Sequence, residues 1–125
     1  MIEELILNKA IEHWGVEMQT VKACEELAEL IRALSRVLLA AHTNAPAIEF
    51  NTAVDNVREE IADVEIMLEQ LRIIFEYRAI EGIRIRKLRR LAGILGLHEI
   101  KPPASDPTDP AVDPDEWSAQ LGGED

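Results

Sequence analysis

Two short stretches, Glu25-Glu26-Leu27-Ala28-Glu29-Leu30 and Glu59-Glu60-Ile61-Ala62-Asp63-Val64, set acids three residues apart inside otherwise apolar runs. Residues three apart share a helix face, so Glu26 projects with Glu29, and Glu60 with Asp63. At about 100° per residue, the turn of a helix with roughly 3.6 residues per turn, Leu27, Leu30, Ile31, Leu34 and Leu38 form one apolar stripe. Val57, Ile61, Val64, Leu68, Leu71 and Phe75 form another. The inner acid pairs hold the same flank of each stripe, whereas Glu25 and Glu59 turn outward. Two helices packed along those flanks bring four carboxylates together.

Unpaired carboxylates are costly to bury, and a hard divalent cation removes that cost. An all-carboxylate set, Glu26, Glu29, Glu60 and Asp63, suits Mg²⁺, with Mn²⁺ as a substitute. A di-iron bundle requires Glu-x-x-His on two helices; His13, His42 and His98 follow Ala10, Leu39 and Leu95 at that spacing, so that class is excluded. The competing explanation, charges lining a solvated helix face, suits Glu25, Glu59, Glu65 and Glu69. It suits the inner pairs less well because their offset from the stripe recurs. Farther on, Arg84, Arg86, Lys87, Arg89 and Arg90 crowd one segment. Lys87 and Arg90 share a face and can reach anionic oxygens, as a polyphosphate beside a cation site requires.

The elements that must position these groups are helices. Apolar residues at three- and four-residue spacing predict an all-α protein. A first helix spans about 2 to 13, with Ile2, Leu5, Ile6, Ile11 and Trp14 on its buried side, and Gly15 breaks it. A second runs from about Glu17 to Ala41 and ends in His42-Thr43-Asn44-Ala45-Pro46. Thr52 is the expected N-cap of a third, with Asp55 completing an approximate capping box. That helix reaches Glu76 or Tyr77, a connection falls between Arg78 and Gly82, and a fourth continues to about Leu95. Residues 1–100 are thus expected to be one domain. Residues 101–125, rich in proline and acid, are expected to be a mobile tail whose removal leaves stability unchanged.

The formal charge of -11 resides mostly in that tail: residues 102–125 hold seven acids and no Lys or Arg, leaving 17 acids against 13 bases before it. Such a surface argues against duplex nucleic acid as a partner. The lone Cys24 forms no intrachain disulfide and reads as a small buried residue. No apolar run reaches the roughly 18 residues of a membrane helix, and without a signal peptide the expected location is cytoplasmic. The third helix carries Ala62, Ile66, Ile73 and Tyr77 opposite its main stripe, and a helix apolar on two sides is buried on two sides. A homodimer or homotetramer is expected.

Glu26-Leu-Ala-Glu29 followed after a loop by Glu60-Ile-Ala-Asp63 resembles the motif of the MazG-like, all-α nucleoside triphosphate pyrophosphohydrolases. Gln19-Thr-Val-Lys22-Ala-Cys-Glu-Glu and Lys87-Leu-Arg-Arg90-Leu extend the likeness over roughly residues 14 to 91. The interval between the acid motifs is longer than is usual in that family. The resemblance implies a bundle of four to five helices and Mg²⁺-dependent cleavage of a nucleoside triphosphate to the monophosphate and pyrophosphate, as in housecleaning of nucleotide pools. It makes the four acids the catalytic metal ligands. Lys87, Arg90 and Lys22 would balance charge on the phosphates, although Lys22 reads equally as a helix-surface lysine, and Gln19 and Trp14 would lie near the nucleotide, although Trp14 reads first as a core residue. Phosphoribosyl-ATP pyrophosphohydrolase, and a non-catalytic helical oligomerisation or regulatory module of the same fold, are the alternatives.

Overall fold

The computed structural model describes residues 1–97, which form four helices and no strand: α1 (Ile2–Trp14), α2 (Val16–His42), α3 (Ala47–Ile74) and α4 (Tyr77–Ile94). The expectations for the acidic tail lie outside the described residues. Residues Met1–Ile74 form one compact unit and Phe75 opens a second, which among the described residues is built on α4.

The first unit is an antiparallel hairpin of α2 and α3, with α1 packed on both. At 27 and 28 residues, each long helix extends about 40 Å at 1.5 Å per residue. Their seam is made by Gln19, Ala23, Glu26 and Ala33 of α2 and by Val64, Met67 and Gln70 of α3, the buried residues of the unit. Small side chains at Ala23 and Ala33 leave the room that Gln19 and Glu26 fill. The expected leucine stripe does not form this seam. Leu27, Ile31, Leu34 and Leu38 are exposed and Leu30 is half-buried, because the helices meet along the flank that carries the acids.

Several boundaries differ from expectation for local reasons. Pro46 has no N–H to satisfy and a fixed φ suited to a helix start, and its carbonyl accepts from Glu49 and Phe50 N–H. Helix α3 therefore begins at Ala47, and Thr52 is not its cap: its hydroxyl donates to the Ile48 carbonyl within the helix. The break after α3 falls at Phe75 and Glu76, where Glu76 takes φ 74, and Gly82 continues α4. In α1 the half-buried side is Leu7, Ala10 and Ile11, leaving Ile2, Leu5, Ile6 and Trp14 exposed. Cys24 is also exposed, one position past the seam residue Ala23. Among the described residues, no helix is long and apolar enough to cross a membrane.

Candidate metal centre and adjoining pocket

The antiparallel arrangement sets the register of the acids. Going back along α2 corresponds to going forward along α3, so Glu26 is brought to Glu60 and Asp63. One oxygen from each of these three residues lies within 4.8 Å of the others. Glu29, exposed one turn along α2, acts on the cluster through its charge on Glu60. Three of the four acids singled out by spacing thus converge, and Glu29 is not among them. Glu25 and Glu59 stay on the solvent side.

Burial within the cluster is graded. Glu26 is only 7% exposed, Glu60 is half-buried and Asp63 is exposed. Glu26 Oε1 accepts from Lys22 Nζ at 2.8 Å, and Lys22 also reaches Glu25 at 3.8 Å. Glu26 Oε2 and Glu60 Oε2 are both buried with no hydrogen-bond partner. An orphaned acceptor ordinarily costs about 1–3 kcal/mol, more when charged.

The electrostatics follow from this crowding. Burial holds the Glu60 carboxyl above its ordinary value, and the charges of Glu29, Asp63 and Glu26 add to the effect. The hydrogen bond from Lys22 to Glu26, and then the charge of Glu26, hold the Lys22 ammonium above its ordinary value. Lys22 is therefore a fixed cation beside an acidic cluster that it does not neutralise.

The donor set fits a hard divalent ion. Oxygens of one octahedral Mg²⁺ shell lie at most about 4.2 Å apart, twice a bond of roughly 2.1 Å. The three oxygens lie within 4.8 Å of one another, close to that limit. Glu26, Glu60 and Asp63 would hold the ion, with Glu29 completing the acidic surround.

Toward the start of α2 the seam opens into a cavity of about 390 Å³ lined by Trp14, Met18, Gln19, Val21, Lys22, Glu25, Met67 and Gln70. Gln19, 6% exposed, donates from Nε2 to Gln70 Oε1 at 2.6 Å, and Gln70 itself is 3% exposed. Trp14 is 58% exposed at the mouth, not in the core. Its place is set by Gly15, whose φ 90 and ψ 155 lie in a region essentially confined to glycine.

Gln70 escaped the sequence analysis, although a signal for it exists. Gln19 precedes Glu26 by seven residues and Gln70 follows Asp63 by seven, two turns in each case, so an antiparallel pair that joins the acids also joins the amides. Lys87 and Arg90 are exposed residues of α4 and belong to the second unit. Within that helix Arg84 pairs with Glu81 at 3.5 Å.

Set against models of protein families, curated proteins and solved structures, the chain matches none of them.

Proposed function

We propose that this protein is a Mg²⁺-dependent nucleoside triphosphate pyrophosphohydrolase of the MazG-like kind, releasing the monophosphate and pyrophosphate. The observation that carries the metal site is the nearly buried Glu26, which clusters with Glu60 and Asp63 of α3 and whose Oε2, like Glu60 Oε2, is buried without a hydrogen-bond partner. Natural folds rarely leave two carboxylate oxygens buried together without a cation or donors to satisfy them. The step from metal site to triphosphate rests on the likeness of the two acid motifs and of the flanking Gln19 to Lys22 stretch to that family.

In this reading Glu26, Glu60 and Asp63 hold the ion, with Glu29 beside them. When bound, Mg²⁺ neutralises phosphate charge and supplies a water acidic enough to attack near neutral pH. Lys22 fixes the Glu26 carboxylate through Oε1 and leaves Oε2 free for the ion. Its ammonium also offers charge to a phosphate at the rim of the adjoining cavity. Lys87 and Arg90 are proposed phosphate contacts on the family likeness alone. The working form is proposed to be a homo-oligomer.

A panel of ribo- and deoxyribonucleoside triphosphates that includes phosphoribosyl-ATP, assayed with Mg²⁺ for pyrophosphate, tests this proposal. Pyrophosphate with the matching monophosphate is the expected product. Orthophosphate release, or no turnover of any member, contradicts it, and turnover of phosphoribosyl-ATP alone selects the alternative enzyme.

A further inference from the structure

Helix α4 carries six bases and one acid, in a chain whose formal charge is -11. One stripe of it gathers Ile83, Lys87, Arg90 and Ile94, spaced four, three and four residues apart and therefore on one face, with Arg86 beside them. All five are exposed, Ile94 at 71%. Among the described residues Arg86, Lys87 and Arg90 have no ion-pair partner, whereas Arg84 is paired with Glu81. A row of cations with an open isoleucine at each end is complementary to an acidic segment that carries apolar anchors.

Such a segment follows in the same chain. Residues 102–125 hold seven acids and no Lys or Arg, and within them Asp113, Asp115 and Glu116 lead into Trp117, with Leu121 four residues farther on. Only 15 residues separate Leu97 from Asp113. Extended at about 3.3 Å per residue they reach roughly 50 Å, whereas the way back from Leu97 along α4 to Ile83 is roughly 20 Å at 1.5 Å per residue. We propose that residues 113–121 dock on this stripe of α4. The carboxylates of Asp113, Asp115 and Glu116 meet Arg86, Lys87 and Arg90, and Trp117 and Leu121 cover Ile83 and Ile94. Exposed ion pairs are individually weak and screened by salt. The tether offsets that weakness, because a short linker holds an attached segment at an effective concentration on the order of millimolar. An external polyanion lacks the apolar anchors and approaches a chain that is negative overall. Composition alone predicts a free tail; the exposed stripe of α4 is what gives these nine residues a partner. Docking stands whether or not Lys87 and Arg90 also meet phosphate, and it holds both from other anions.

The test uses full-length protein labelled with ¹⁵N and ¹³C, in low salt. Nuclear Overhauser contacts from the Trp117 indole ring to the methyl groups of Ile83 or Ile94 are the expected result. They should fall at least severalfold in 1 M salt, where the screening length is about 3 Å. The variant Asp113→Lys/Asp115→Lys/Glu116→Lys, which lies outside the four helices, should lose the contacts and move the Trp117 indole N–H to its high-salt position. Adding Arg86→Glu/Lys87→Glu/Arg90→Glu to that variant reverses both partners and should restore the contacts. Absence of Trp117 contacts with α4 in the wild type at low salt overturns the inference, as does their persistence in the tail variant. Contacts found only between labelled and unlabelled copies in a mixed sample would move the segment to a neighbouring chain and overturn it as well. The wild type and the tail variant decide the matter even where the helix variant fails to fold.

Discussion

Exchange of Glu60 for glutamine removes a carboxyl that burial and three neighbouring acids hold above its ordinary value. A raised carboxyl keeps its proton in the folded state over a range where the unfolded chain has lost it. Its stabilising contribution is therefore complete below the ordinary value of 4.5 and is lost as pH rises through the folded value. The metal-free protein should melt higher as pH is lowered toward that window, and Glu60→Gln should remove part of this dependence while melting at or above wild type at neutral pH. Parallel melting curves for wild type and Glu60→Gln across pH, with a chelator present, check this. Identical slopes would mean that Glu60 does not feel its neighbours.

Gly15 joins α1 to α2 in a backbone conformation that side chains resist, although open space surrounds the position of a Cβ. Gly15→Ala should cost roughly 1–3 kcal/mol through backbone strain alone. Gly82, inside α4 with open space around it, should gain about 0.5–1 kcal/mol of helix stability as alanine. Thermal melts of the two variants, read by circular dichroism, should therefore move in opposite directions. At this scale the helices were legible from apolar spacing and from Gly15, and the convergence of the acids from two matching offsets. The seam itself was harder to read. Hydrophobicity favours leucine over alanine, so the stripe of Leu27, Ile31, Leu34 and Leu38 outweighed Ala23 and Ala33, which form the buried seam with Glu26. Trp14 reads as core for the same reason, because a large apolar side chain serves a core, and the structure instead leaves it exposed at a cavity mouth. The start of α3 was missed because Pro46 was weighed as a terminator and not as the residue that opens a helix.

The first unit buries little apolar material for its length, with Ala23, Ala33, Val64 and Met67 as its buried apolar residues. Leu27, Ile31, Leu34 and Leu38 stand exposed along one side of α2, and Ile66 and Ile73 along α3. Rows of exposed apolar residues such as these are a candidate surface for association. A homo-oligomer is the expected state, with a mass by light scattering at micromolar concentration of at least twice the 14.0 kDa of one chain. Ile31→Lys/Leu38→Lys should shift that mass downward or unfold the protein. A wild-type monomer, or a variant of unchanged mass and stability, would contradict the assignment of this face.

The central claim is that Glu26 holds a divalent cation and Glu25 beside it does not, and neighbouring residues of one type allow a direct comparison. The measurement is the rise in melting temperature on adding Mg²⁺, paired with Mg²⁺-dependent pyrophosphate release, for wild type, Glu25→Gln and Glu26→Gln. An ion at roughly 100 times its dissociation constant stabilises the folded state by about 2.7 kcal/mol, a shift of several degrees for a domain of this size. Wild type and Glu25→Gln should show that shift and release pyrophosphate. Glu26→Gln should show almost none of the shift and lose roughly 100-fold or more in release. Equal behaviour of Glu25→Gln and Glu26→Gln in both measurements would contradict the four-carboxylate site and leave a helical interaction module in its place.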